Sequence, residues 1–176
     1  MSGQDFLGQM LPFDDSRHLA AQQFLVQEAY RQGMRDLESW FDMLAPDLCY
    51  RVPITSTFGA KPHKEGEMDH MHEDYYSIRM RIERLKTNMA WTENPASRTE
   101  RLIANVACFE TQKDEEVRVL SSFLIFRTQG DYMGPDLIAG SRDDILRETP
   151  DGIKLVSRVV NLQESVLRTQ NLAIFL

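Results

Sequence analysis

Few stretches of this sequence combine residue types and spacing that could do chemistry, and the densest is DHMHED, residues 69–74. His70 and His72 stand two apart, so in an extended chain both imidazoles share a face. With a neighbouring carboxylate they would complete the two-His, one-carboxylate set of a mononuclear Fe(II) site. An acidic helix entrance at the end of a polar loop, where carboxylates offset the helix dipole, explains the same letters more simply and outweighs the metal reading. His18 and His63 fall at a helix start and in a loop and read as solvated side chains. Glu28 stands alone on an apolar helical face. Asp143 and Asp144 lie in a β-type segment, and the neighbouring Arg142, Arg147 and Arg158 make them ion-paired structural carboxylates. Cys49 and Cys108 are two thiols far apart in sequence, read as buried small hydrophobes because a chain of this length can stabilise itself without a disulfide.

Hydrophobic periodicity announces the elements that must position these groups. In residues 18–33, HLAAQQFLVQEAYRQG, one side of a helix carries Ala21, Phe24, Leu25, Glu28 and Ala29, and Gly33 is its stop. Leu37, Trp40, Phe41 and Leu44 repeat the i, i+3, i+4, i+7 spacing and predict a second helix, ended by Pro46 and packed on the first. Residues 48–52 read as a brief strand closed by Pro53. Residues 54–68 read as a long surface loop, and loops of that length often carry function or meet a partner. A third helix is expected to begin within residues 69–74 and run to about Lys86, burying Tyr75, Ile78, Ile82 and Leu85.

Beyond Pro95 the pattern becomes alternating. Residues 102–110, 117–128, 137–148 and 153–162 predict an antiparallel sheet, with TQKDEE at one hairpin tip and Pro150, Asp151 and Gly152 in another turn. Leu120, Phe123, Leu124, Ile125 and Phe126 place apolar groups on both faces of one strand. One face covers the helices, and the other needs a cover that another protein could supply. Helices first and a meandering sheet afterwards give an α+β class, with helices packed on a curved antiparallel sheet.

With 176 residues and 42% hydrophobic content, the chain fits one domain, expected over residues 18–176 after a flexible segment 1–17. A formal charge of −7 argues against a nucleic-acid partner, because phosphate binding needs clustered Lys and Arg. No apolar run approaches membrane-spanning length and no secretory signal opens the chain, so a soluble, cytoplasmic protein is expected.

Residues 78–106, IRMRIERLKTNMAWTENPASRTERLIANV, resemble the signature region of the small (β) subunits of bacterial aromatic-ring-hydroxylating dioxygenases. The matching positions are Arg81, Arg84, Leu85, Trp91, Glu93, Pro95, Ser97, Arg98, Thr99, Asn105 and Val106. Further matches are WFDMLAPDLCYRVP, SSFLIFRT, the series Gly140, Arg142, Asp144, Leu146 and Arg147, and the closing NLAIFL. A departure follows Pro53, where Ile54, Thr55, Ser56 and Thr57 replace the arginines that family members often carry.

The resemblance implies a cystatin-like, nuclear transport factor 2-like cone. It implies assembly with catalytic α subunits and other β subunits, commonly three of each. It also places a Rieske iron–sulfur cluster and a mononuclear Fe(II) in the α subunit, fed from NAD(P)H through a reductase, for cis-dihydroxylation of an aromatic ring. No cofactor is expected in this chain, since the paired Cys and His motifs of a Rieske centre are absent around Cys49 and Cys108. Trp91, Pro95, Ser97, Arg98, Thr99, Arg142, Asn171 and Phe175 are the structural or interface candidates, with Arg98 expected to be buried and residues 171–176 expected to dock in an interface or in the chain's own sheet. The alternative on the same fold is an independent isomerase or dehydratase, or a small-ligand-binding protein, with Glu28, Asp143 or Asp144 as general base.

Overall fold

Regular structure begins where a side chain can close a helix end. The Asp15 carboxylate accepts from the Arg17 backbone N–H at 2.8 Å and caps α1 (Ser16–Gly33). The computed structural model describes residues 8–54, 69–87, 93–130, 134–164 and 173–176. The packed unit starts before His18, because the Leu11 N–H donates to the Cys108 carbonyl at 2.8 Å and the Leu11 side chain is buried. The inward face of α1 carries His18, Ala21, Phe24, Leu25, Glu28 and Gln32.

The second helix is shorter than its pattern predicts. α2 (Leu37–Phe41) ends before Leu44, which already belongs to β1 (Leu44–Pro53). Leu44 is buried, as the helical spacing required, but as a strand residue. Pro46 is tolerated because it lies in the register shift between Leu44 and Cys49, where the ladder to the neighbouring strand is interrupted.

The acidic segment is a strand, not a helix entrance. β2 (Asp69–Asp74) pairs antiparallel with β1, with Arg51 opposite His72 and Val52 opposite Met71. Alternation decides the outcome, since Met71 is buried while His70 and His72 are exposed. Only Asp74 serves a helix, exchanging hydrogen bonds with Ser77 in a capping box that opens α3 (Tyr75–Leu85). Ile78 and Ile82 then face the core.

The remaining strands are β3 (Arg98–Glu110), β4 (Glu116–Thr128), β5 (Asp136–Thr149) and β6 (Gly152–Leu162). The sheet order is β2-β1-β6-β5-β4-β3. All pairs are antiparallel except β1 with β6, so the sheet is mixed where a purely antiparallel one was expected. The chain between β1 and β6 is long enough to serve as the crossover that a parallel pair requires. Helices α1 to α3 fill the concave side, giving the α+β arrangement that the element order implied. Among the described residues no helix is long and apolar enough to cross a membrane.

Candidate functional site: the charged interior of the cone

The series Gly140, Arg142, Asp144 and Leu146 has a period of two, so β5 turns all four inward. Gly140 is required there because an added Cβ would lie 2.7 Å from the Phe123 ring and 2.6 Å from the Asn161 carbonyl oxygen. Phe123 can therefore lie against β5, and the Arg142 guanidinium sits 5.0 Å from its ring centroid. Strand pairing sets Tyr50 on β1 beside Arg158 on β6, and Arg158 beside Asp144 on β5. α1 lowers Glu28 onto this row from above.

The result is a fully enclosed ionic network. Arg158 clamps Glu28 through Nη1 to Oε1 at 2.7 Å and Nη2 to Oε2 at 2.8 Å. Through Nε and Nη2 it also donates to both oxygens of Asp144 at 2.8 Å. Trp40 Nε1 donates to Glu28 Oε1 at 3.0 Å and Arg142 Nη1 donates to Glu28 Oε2 at 3.3 Å. The Tyr50 hydroxyl donates to the Leu176 backbone oxygen at 2.5 Å and accepts from the Leu176 N–H at 2.9 Å. Phe175 stacks at 4.4 Å from Trp40 and lies under the Arg81 guanidinium, closing the interior with Ile174.

Burial by itself pushes the Glu28 carboxyl up, but the charges of Arg158 and Arg142, with hydrogen bonds from Arg158 and Trp40, reverse that and hold it at about 2. Burial also raises Asp144, against the pull of Arg158. Arg158, enclosed yet flanked by Asp144 and Glu28, is held well above its ordinary value. All four carboxylate oxygens already accept N–H bonds, so neither acid presents a free base to a substrate. The arrangement locks α1, β1, β5, β6 and the 173–176 segment together. Tyr50→Phe leaves the buried Leu176 N–H without its acceptor, while the Leu176 oxygen keeps its bond from Arg158 Nη1 at 3.2 Å. The cost is expected to be about 1–3 kcal/mol, measured by urea unfolding with the fold intact by circular dichroism.

Several side chains lie elsewhere than their sequence context predicts. Arg98 is exposed rather than buried, because β3 alternates and turns Arg98, Glu100 and Leu102 outward. The buried arginine of that region is Arg127. Its Nη2 donates to Glu93 Oε1 and its Nε to Ser97 Oγ, both at 2.9 Å, and Glu93 also accepts from the Ser97 N–H at 3.0 Å. Pro95 is exposed, and its carbonyl accepts from Gln129 Nε2 at 2.8 Å. Thr99 is half-buried. Trp91 and Asn171, like residues 55–68, lie outside the described residues.

His18 is fully buried rather than solvated, edge-on to Phe13 at 5.1 Å, because it falls on the inward stripe of α1. Cys49 is exposed rather than buried, whereas Cys108 is buried and its thiol is pushed up to about 11. Asp143 pairs with Arg118, and Arg147 bridges Asp47 and Glu116. His72 Nδ1 lies 3.8 Å from an Asp69 carboxylate that Arg51 already engages at 2.9 Å. No group of three metal-binding side chains occurs among the described residues. Sequence reasoning missed that Trp40 bonds Glu28 and that Tyr50 and Leu176 join the same network through Arg158. The one signal was an acid at a core position of an apolar stripe, which needs a buried cation.

A family profile described as "Ring hydroxylating beta subunit" matches residues 27–169. The chain is 32% identical over 171 residues to the biphenyl 2,3-dioxygenase subunit beta of Rhodococcus jostii (strain RHA1), covering 93% of this chain and 91% of that protein. It is also 30% identical over 157 residues to the N,N-dimethyl phenylurea N-demethylase subunit beta of Sphingobium sp. (strain YBL2), covering 89% of each. A solved structure of naphthalene 1,2-dioxygenase superposes with a TM-score of 0.80 at 24% identity, over 93% of this chain and 87% of that one. A protein described as a scytalone dehydratase, from Novosphingobium aromaticivorans DSM 12444, superposes with a TM-score of 0.61 at 14% identity over 84% and 85% of the two chains. These likenesses place the fold among nuclear transport factor 2-like cones. A profile match over most of its length and a relative 32% identical across 93% of it show that this chain belongs to the ring-hydroxylating dioxygenase β-subunit family.

Proposed function

We propose that this chain is the structural subunit of a multicomponent aromatic-ring-hydroxylating dioxygenase, holding catalytic α subunits in an assembly of three α and three β chains. The Rieske cluster and the mononuclear Fe(II) belong to the α subunit, electrons come from NAD(P)H through a reductase, and the assembly works in the cytoplasm. The product class is a cis-dihydrodiol. One observation carries this reading: where a cone-shaped enzyme would keep a general base, the interior acids Glu28 and Asp144 are both engaged by arginine, while the outer face of β3 to β5 leaves Leu102, Leu124, Phe126 and Leu137 exposed.

That outer face is built in cross-strand rows, Leu102–Leu124–Ala139 and Phe126–Leu137, with Leu102 54% and Leu137 59% exposed. An exposed apolar surface of this kind, bordered by Glu100 opposite Phe126, supports a protein interface there. Pro95 and Arg98, also exposed, lie at the start of the same edge strand and join this interface. Ser97, Arg142 and Phe175 act inside the chain.

The test is co-expression with a catalytic large subunit, followed by light scattering, iron analysis and turnover once electron donors are supplied. An iron-free chain that enters an equimolar complex, with activity only there, supports the proposal. Stoichiometric metal in the isolated chain, or turnover without the large subunit, overturns it. The double variant Leu102→Glu/Leu137→Glu should weaken assembly at least about tenfold, since buried unpaired charges at an interface cost several kcal/mol. Its unfolding free energy should stay within about 0.5 kcal/mol of the wild type.

A further inference from the structure

Beside the closed ionic network, at the end of α1, a cavity of about 30 Å³ is lined by Gln32, Arg101, Leu37, Leu85, Ile174 and Phe175, with Arg35 and Glu93 at its polar side. Among the described residues, two of its polar side chains have nothing to bond to. Gln32 is 4% exposed, yet neither its amide nitrogen nor its amide oxygen has a partner. Arg101 turns inward from β3, and its Nε and Nη1 are buried without an acceptor. Buried polar groups are paired almost without exception, and an unpaired buried cation is the most costly case.

The acid on the wall does not satisfy Arg101. Glu93 Oε1 accepts from Arg127 Nη2 and Ser97 Oγ, and its Oε2 accepts from Arg35 Nη1 and the Ser97 N–H. Glu28, one turn before Gln32 on α1, is held by Arg158, Arg142 and Trp40. Burial draws Arg101 down to about 10, helped by the charge of Arg142, so it remains cationic at neutral pH. Charged groups lining the cavity are therefore two cations and one acid already bound to both Arg127 and Arg35.

We infer that this cavity is a binding site for a small monovalent anion, a halide or the head of a small carboxylate, held by Arg101 and the Gln32 amide. A water needs roughly 10–15 Å³ of such space, so the volume admits one such ion and excludes larger oxyanions such as sulfate with a hydration shell. The apolar walls at Leu37, Leu85, Ile174 and Phe175 strip the ion of water, which strengthens each N–H bond to it. The site is independent of the assembly reading, because its ligands all belong to this chain.

The test uses crystals of the full chain soaked in sodium bromide, paired with calorimetric titration of bromide and of formate in solution. An anomalous peak in hydrogen-bonding reach of an Arg101 nitrogen and Gln32 Nε2, with saturable binding that Arg101→Met weakens at least about tenfold and Arg101→Lys partly restores, supports the site. Displacement of bromide by formate identifies a carboxylate site, and failure of formate to compete identifies a halide site. Gln32→Leu, away from the strand, gives a second variant in which binding should fall should Arg101→Met fold poorly. Only water at Arg101 in bromide-soaked crystals, or titration unchanged in Arg101→Met and Gln32→Leu, overturns the inference. Light scattering of the complex with the catalytic subunit reads the assembly proposal separately.

Discussion

Glu28→Gln is expected to destabilise the chain by about 3–5 kcal/mol, the cost of leaving buried charge without its counter-ion. Arg158 would keep Asp144 but lose its shortest contact, 2.7 Å to Glu28 Oε1, and Arg142 would lose its 3.3 Å carboxylate contact. Urea unfolding of both proteins at several pH values measures it. The pH dependence has a definite sign. Glu28 has a folded-state pKa of about 2, below its ordinary 4.5, so its contribution is fully present above about pH 4.5 and is lost as the pH falls toward 2. The gap between wild type and Glu28→Gln should therefore be widest at neutral pH and narrow in acid. A gap below about 1 kcal/mol at pH 7 would show that the network carries little of the stability. Replacement of the whole set, Glu28, Asp144, Arg142 and Arg158, by well-packed apolar residues need not destabilise, because removing both partners also removes their desolvation cost.

The second large effect concerns the closing segment. Phe175 is 2% exposed, stacks on Trp40 and lies under Arg81. Phe175→Ala should cost about 3–5 kcal/mol, the usual range for opening a cavity in place of a buried aromatic ring. The expectation that residues 171–176 dock in an interface or in the chain's own sheet is thereby narrowed for the described part, residues 173–176, which pack into the chain's own core. Unfolding of the isolated variant should show the loss before any partner is added. A variant as stable as wild type that fails only in assembly would return this segment to the interface.

The sequence by itself determined the class and most of the order of elements, β2 excepted, because those follow from local periodicity. The stripe of α1, the alternation of β3 to β6 and the signature around Glu93, Pro95 and Ser97 needed no knowledge of distant contacts. They were sufficient to point to the family. Where the reading failed, a long-range pairing outweighed a local pattern. The segment at 69–74 carries helix-entrance letters but pairs with β1, Leu44 fits a helical stripe but joins a strand, and Arg98 looks structural but alternates outward.

Only the tertiary structure decided that Glu28, Asp144, Arg142 and Arg158 converge. Glu28 and Arg158 are 130 residues apart, and the register of β1, β6 and β5 brings Tyr50, Arg158 and Asp144 into one row. The same packing made His18 a core residue and, among the described residues, left Arg101 Nε and Nη1 and the Gln32 amide without partners. Burial and partnership are set by which elements close over a side chain, and a residue's own neighbours in sequence do not specify that.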